Sequence, residues 1–213
     1  MNVSFIALPA DSNLGNLHPV SIIFHLDLDS FFVSAERLRN PALIGKPVAV
    51  GGTGPRAVLS AASYEARKFG VHSAMPTAQA LRLCPHLLVV ESTYGLYSQL
   101  SKEVFGILEK YTPVCEQVGI DEGYLDMTGT ESLHGPPLLA AEKMRAEIRA
   151  KTRLPASIGI AANRGVAKIA TDQAKPDGLL WVRPGAEASF LAPLAVGVIP
   201  GVGPATQKWL HDH

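Results

Sequence analysis

An α+β fold built on a ferredoxin-like βαββαβ core is predicted for this chain of 213 residues. Three features predict it. Residues 22–28 (IIFHLDL) form a β-branched, apolar run. Beyond residue 91 the signals run helix, strand, strand, helix, strand, which completes the core order. Residues 30–91 carry short strands and helices of their own and read as a small α/β insertion after the first strand.

Each element has a local reason. Asp29 and Ser30 are N-cap types, and FFVSAERL continues with helical spacing. PVAV (47–50) and RAVLSA (56–61) are extended runs separated by a turn at Gly51, Gly52 and Gly54. Ser63 caps a helix YEARKF that Gly70 ends, and Pro76 opens a second helix through Leu83. LLVVE (87–91) is a strand. Tyr94, Tyr97, Leu100, Val104, Phe105 and Leu108 recur at threes and fours, as on a long amphipathic helix. VCEQVGI and YLDM are strands flanking Asp121-Glu122-Gly123, and a helix follows from about Pro137 to Arg153. A strand at 156–162, a helix ending near Lys175 and a strand at 178–182 complete the pattern. Pro200-Gly201-Val202-Gly203 before a last helix reads as the hairpin of a helix-hairpin-helix element.

Composition narrows the function. Lys+Arg and Asp+Glu are 19 each, so the chain is neutral and does not advertise a nucleic-acid surface. Cys84 and Cys115 lack CxxC spacing, which predicts reduced thiols and no zinc site. No apolar run approaches the ~20 residues of a membrane span. No Lys or Arg precedes the N-terminal apolar stretch, so no signal peptide is expected and a cytoplasmic location is. Residues 1–20 lack periodicity and read as a flexible leader.

The acids carry the chemistry. Asp27 and Asp29 close the first strand at i and i+2, on one face. Asp121 and Glu122 lie at the turn between two strands, and in a ferredoxin-like sheet the first and third strands are central neighbours. Converging carboxylates repel unless a cation sits between them. Hard oxygen donors suit Mg²⁺, and two such ions can stabilise both oxygens of an in-line phosphoryl displacement. The alternative is that Asp27 caps a helix and Asp121-Glu122 is a solvated hairpin turn. Spacing alone does not decide between the two.

The wording of several segments adds a resemblance. Asp27-Leu28-Asp29-Ser30-Phe31-Phe32 with Ala35-Glu36, then Asn40-Pro41-Ala42-Leu43 and residues 46–52 (KPVAVGG), resemble the opening of the Y-family (translesion) DNA polymerases, and within them the DNA polymerase IV class. So do residues 64–71 (YEARKFGV) with Ser73-Ala74-Met75-Pro76, and Ile120-Asp121-Glu122 with Tyr124-Leu125-Asp126. Ala167-Lys168-Ile169-Ala170, Lys175-Pro176-Asp177-Gly178 and residues 199–203 (IPGVG) complete the series in order. The resemblance implies a palm at 21–29 and 92–185, fingers at 30–91 and the start of a thumb at 186–213. It implies that Asp27, Asp121, Glu122 and the Leu28 carbonyl hold two Mg²⁺ ions. Backbone amides near Phe31 and Phe32, with Tyr64, Arg67 and Lys175, would meet the dNTP triphosphate. Phe32 would be the steric gate against ribonucleotides, and Gly201 and Gly203 would meet primer-template DNA. Lys168 would be structural or near DNA, and Asp29 and Asp126 would be supports.

This sequence departs from the family at Gly119 and Gly123, where Ser and Ala are usual, at Ala61, where Thr is common, and at Ser63, where Asn is frequent. The expected consequences are a freer hairpin and one lost triphosphate hydroxyl contact. Family members continue through a full thumb and a basic little finger. The neutral charge is therefore expected of a fragment that binds nucleotide better than DNA and is weakly active or inactive alone, and a sliding clamp would be met through a region beyond His213. Two other readings remain at this point: a catalytically silent relative acting as an adaptor in a damage-tolerance complex, and a nucleotide cyclase with a similar sheet but no insertion.

Overall fold

The computed structural model describes residues 3–6 and 20–212. In chain order the elements are β1 (Val3–Ile6), β2 (Ile23–Leu28), α1 (Phe31–Arg39), β3 (Val48–Gly51), β4 (Leu59–Ala62), α2 (Tyr64–Arg67), α3 (Thr77–Leu83), β5 (Leu88–Val90) and α4 (Leu96–Leu108). There follow β6 (Cys115–Gln117), β7 (Glu122–Asp126), α5 (Glu131–His134), α6 (Pro137–Thr152), β8 (Ala156–Ala161), α7 (Arg164–Ala174), β9 (Leu179–Val182), α8 (Glu187–Leu191) and α9 (Pro204–Asp212). No helix among the described residues is long and apolar enough to cross a membrane.

A six-stranded sheet runs β1-β9-β8-β2-β7-β6, and a three-stranded sheet runs β4-β3-β5. The stretch β8-β2-β7-β6 is antiparallel throughout and is the predicted βαββαβ unit. β9 extends it parallel to β8, after the α7 crossover. β1 lies parallel to β9 at the far edge, with Val3 opposite Leu179. That strand corrects the expectation of a loose leader. Four residues are too few for alternation to register, and their pairing is non-local. Residues 7–19 of the predicted leader lie outside the described residues.

The two faces of the large sheet are covered differently. Phe24, Leu26 and Leu28 alternate along β2 and pack with Leu100, Val104 and Leu108 of α4 and Met144 and Ile148 of α6. His25 and Asp27, of opposite parity, point to the α7 side. There Gly159 of β8 lets the helix approach closely, since a Cβ would stand 2.1 Å from the Ala167 carbonyl oxygen and 2.4 Å from the Thr171 nitrogen. Both neighbours are backbone and cannot rotate away. Gly159→Ala is therefore expected to cost about 3 kcal/mol or more, read as a lower denaturant midpoint.

The insertion has a small core of Ala49, Leu59, Ala62, Val71, Met75, Cys84 and Leu87. Helix α1 is shared. Phe31 and Ala35 enter the large core, while Val33 packs on Leu43, Val48 and Val50. Two local expectations change. Ser30 stands at the α1 N-cap with φ 44° and makes no capping side-chain bond. Tyr94 is fully exposed and precedes α4, which Gly95 opens at φ 79°. Ser63 caps α2 as expected, accepting from the Ala66 amide.

Candidate active site

The C-terminal end of β2 and the start of β7 bring the predicted acids together. Asp27 is paired with Glu122 in register, and the Leu28 amide donates to the Asp121 carbonyl at 2.9 Å. Asp27 and Asp121 face a cleft of about 190 Å³, whose other walls include Leu28, Phe31, Phe32, Tyr64, Arg67 and Lys175. Glu122 is turned toward α7, where Lys168 Nζ donates to its Oε2. The His25 Nε2 lies 3.4 Å from the same oxygen. Among the described residues, no three His, Cys, Asp or Glu groups stand ready as a metal cage.

Charge explains that arrangement. Burial, reinforced by Asp121 and Glu122, raises Asp27 to about 6 against the pull of Lys175. Lys175 Nζ sits 2.6 Å from Asp27 Oδ2 and 2.9 Å from Asp172. Burial, then the Glu122 charge, raises Asp121. For Glu122 burial acts upward too, but Lys168 outweighs it and holds the carboxyl low. His25 is lowered to about 4, chiefly by burial and then by Lys168, and is neutral near pH 7. Its Nε2 is a buried polar atom with no hydrogen-bond partner. The donor set fits a divalent cation. It offers anionic hard oxygens at the ends of two neighbouring central strands, two of them on carboxyls whose charge the fold alone disfavours.

A stability consequence follows for the metal-free protein. The folded state binds the Asp27 proton more tightly than the unfolded chain does. The resulting penalty appears as pH rises from about 4 to 6 and is fully present above that window. Asp27→Asn removes it. In chelator at pH 7 the variant is expected to be about 1–3 kcal/mol more stable, with the gap closing near pH 4. Equal stabilities across this range by denaturant titration would refute the assignment.

The opposite wall comes from the insertion. Arg67 donates through Nε to the Ala62 carbonyl at 3.1 Å and lies 4.7 Å from the Tyr64 ring centroid. The Tyr64 hydroxyl donates to Asp29 Oδ1 at 3.1 Å. Asp29 is not a helix cap. It is 1% exposed and also accepts from Ser157 Oγ at 3.0 Å and from the Asp177 amide at 2.9 Å. Asp126 accepts from the Thr128 amide at 2.9 Å, a local turn contact. Gly201 and Gly203 stand apart, lining an open cleft of about 430 Å³ with Lys168 and Asp172.

Comparison with known proteins decides the family. Residues 26–172 match the model described as the impB/mucB/samB family, a span that holds all three acids. The chain belongs to the impB/mucB/samB family. Curated relatives of this impB/mucB/samB domain include a DNA polymerase IV of Dehalococcoides mccartyi, 49% identical over 189 residues, and one of Treponema denticola, 45% identical over 189. These alignments cover 88% and 89% of this chain and 48% of each relative. The chain thus spans about half the length of the curated relatives it matches. Solved structures that it resembles include DinB from Sulfolobus solfataricus, at TM-score 0.83 and 33% identity over 90% of this chain and 57% of that one. An insertion ternary complex of Dbh DNA polymerase gives TM-score 0.82 at 33% identity, with the same coverage. The catalytic-domain fold of the Y-family polymerases is therefore the fold of this chain.

Within the impB/mucB/samB domain, one departure reads differently in three dimensions. Gly123 is buried in β7, where a Cβ would stand 2.7 Å from the Phe105 ring and 3.0 Å from the Glu116 carbonyl oxygen. The position is tightly packed, not a freer hairpin as expected. Ala61 does line the cleft wall and brings no hydroxyl to it. Sequence reasoning missed Ser157, His25 and Arg145. Ser157 is the one hydroxyl in the strand ASIGIA and sits opposite Asp27, which was its available signal. Arg145 of α6 donates to Asp177 Oδ1 at 2.7 Å and so steadies the turn that carries Lys175. No local pattern in the sequence announces that contact.

Proposed function

We propose that this chain is the catalytic part of a template-directed DNA polymerase that adds dNTPs to a primer 3′-hydroxyl, in the error-prone lesion-bypass class. One observation carries the reading. Asp27 and the Asp121-Glu122 pair, distant in sequence, meet at the ends of two central strands beside a cleft walled by an aromatic ring and by Arg67. Relatives named DNA polymerase IV, and the likeness to a ternary complex of a DNA polymerase, support it.

Asp27, Asp121 and the Leu28 carbonyl would hold two Mg²⁺ ions, joined by Glu122 once it leaves Lys168. Bound there, the ions supply activation of the 3′-hydroxyl and neutralisation of the leaving pyrophosphate. The chain's own residues do the positioning. Amides at the start of α1, Arg67 and Tyr64 receive the triphosphate. Lys175 balances Asp27 until the substrate arrives and then turns toward phosphate oxygens, while Lys168 holds Glu122. Phe32 fills the space that a ribose 2′-hydroxyl needs. Gly201 and Gly203, in a turn with φ 86° at Gly201, offer backbone amides to the DNA strand.

The test is templated single-nucleotide addition by this chain on a primed duplex with Mg²⁺. Addition of the dNTP complementary to the template base, lost in chelator, is the expected result. Addition indifferent to the template base would sink the reading. The cyclase alternative makes no place for the three-stranded insertion that forms the Tyr64 and Arg67 wall.

A further inference from the structure

A cluster on the far side of Phe32 has no part in the site as described so far. The Phe32 ring rests on Tyr97 of α4, with centroids 4.5 Å apart, and touches Phe31 at 5.6 Å. Tyr97 is pinned in turn. Its hydroxyl donates to Glu36 Oε1 at 2.6 Å. Glu36 is 4% exposed and stands one turn along α1 from Phe32. Its carboxylate also accepts from the Thr93 amide at 3.1 Å and pairs with Arg39 at 3.3 Å. Burial works to raise the Glu36 carboxyl, but these donors outweigh it and hold it charged. Tyr97 does not line the cleft.

A carboxylate this buried is costly unless fully hydrogen-bonded, so its partners are fixed in place. The fixed partner that matters is the Tyr97 ring. A flat aromatic surface held at its hydroxyl end cannot slide back when the ring in front of it is pushed.

We propose that Glu36 and Tyr97 are positioning residues for sugar selection. Glu36 locks Tyr97 as a backstop, and Tyr97 keeps Phe32 from yielding to a ribose 2′-hydroxyl. The inference rests on the polymerase reading above and deepens it. The helix that carries the gate also carries, four residues on, the acid that braces it.

The experiment measures templated addition of one matched dNTP and its ribonucleotide, and takes the ratio of the two kcat/KM values as the discrimination. Tyr97→Phe keeps the ring and removes the hydroxyl, which donates to Glu36 and accepts from the Thr93 amide at 3.2 Å. It is expected to lower discrimination about three- to tenfold, the scale of coupling between touching side chains. The change should lie in KM for the ribonucleotide, with kcat for the dNTP held within about twofold. Glu36→Gln, whose amide oxygen still accepts from Tyr97, should stay near wild type, and Glu36→Ala should match Tyr97→Phe. In a Phe32→Ala background, Tyr97→Phe should change nothing further. Should wild type add no dNTP even with primer-template at saturating concentration, the polymerase reading falls and takes this inference with it. If wild type adds dNTPs but Tyr97→Phe discriminates as well, or loses as much without Phe32, this inference alone is overturned. Thermal melts of each variant ensure that folded proteins are compared, and Tyr97→Phe carries the test if Glu36→Ala does not fold.

Discussion

Asp121→Ala combined with Glu122→Ala is expected to reduce templated dNTP addition by at least about 10³-fold while leaving the fold intact. The size follows from chemistry. Divalent cations supply several kcal/mol of charge stabilisation in phosphoryl transfer, and a site left with Asp27 alone cannot retain them. The fold tolerates the change because both side chains sit at a strand start and are partly exposed. Burial and mutual repulsion already raise Asp121. Loss of Glu122 frees Lys168, which at 24% exposure still reaches water. The variant should melt within about 1 kcal/mol of wild type, since partly exposed acids contribute little to stability. Unchanged primer extension by a folded variant would remove these residues from the chemistry.

Phe32→Ala should relax sugar discrimination by about 10²-fold, through faster ribonucleotide addition and not through slower use of dNTPs. The ring lines the cleft beside Asp27 and is backed by Tyr97 and Phe31, so it has no room to retreat. Forcing an extra hydroxyl against a packed ring costs about 1–3 kcal/mol, which sets the scale. Alanine opens the space at a modest stability cost, because the ring is only half-buried. The check is the ratio of kcat/KM for the two sugars. A ratio unmoved from wild type would show that another group reads the sugar.

Much of this geometry was legible in the sequence. The βαββαβ order followed from period and turn chemistry, and the meeting of Asp27 with Asp121-Glu122 followed from the topology. The residues around them were not legible, for physical reasons. The pairing of Lys175 with Asp27 was not announced, because the two lie 148 residues apart and meet only once the fold is formed. Asp29 was expected as a support but also as a helix cap, since Asp before an apolar run favours that second role. Its actual partners, Ser157 and Asp177, come from strands and turns more than a hundred residues away. Gly123 suggested slack, yet its missing side chain is the space Phe105 occupies. Contacts of this kind depend on which surfaces the fold presses together, and no short window of sequence records that.

Asp29 has a mechanical consequence. Through one buried carboxylate it fastens Tyr64 of α2, in the insertion, to Ser157 and the Asp177 turn of the large sheet. The walls on either side of the cleft are thereby riveted at their base. On the polymerase reading a triphosphate would come in from the open rim, since prising the walls apart from below would leave a buried carboxylate without its donors.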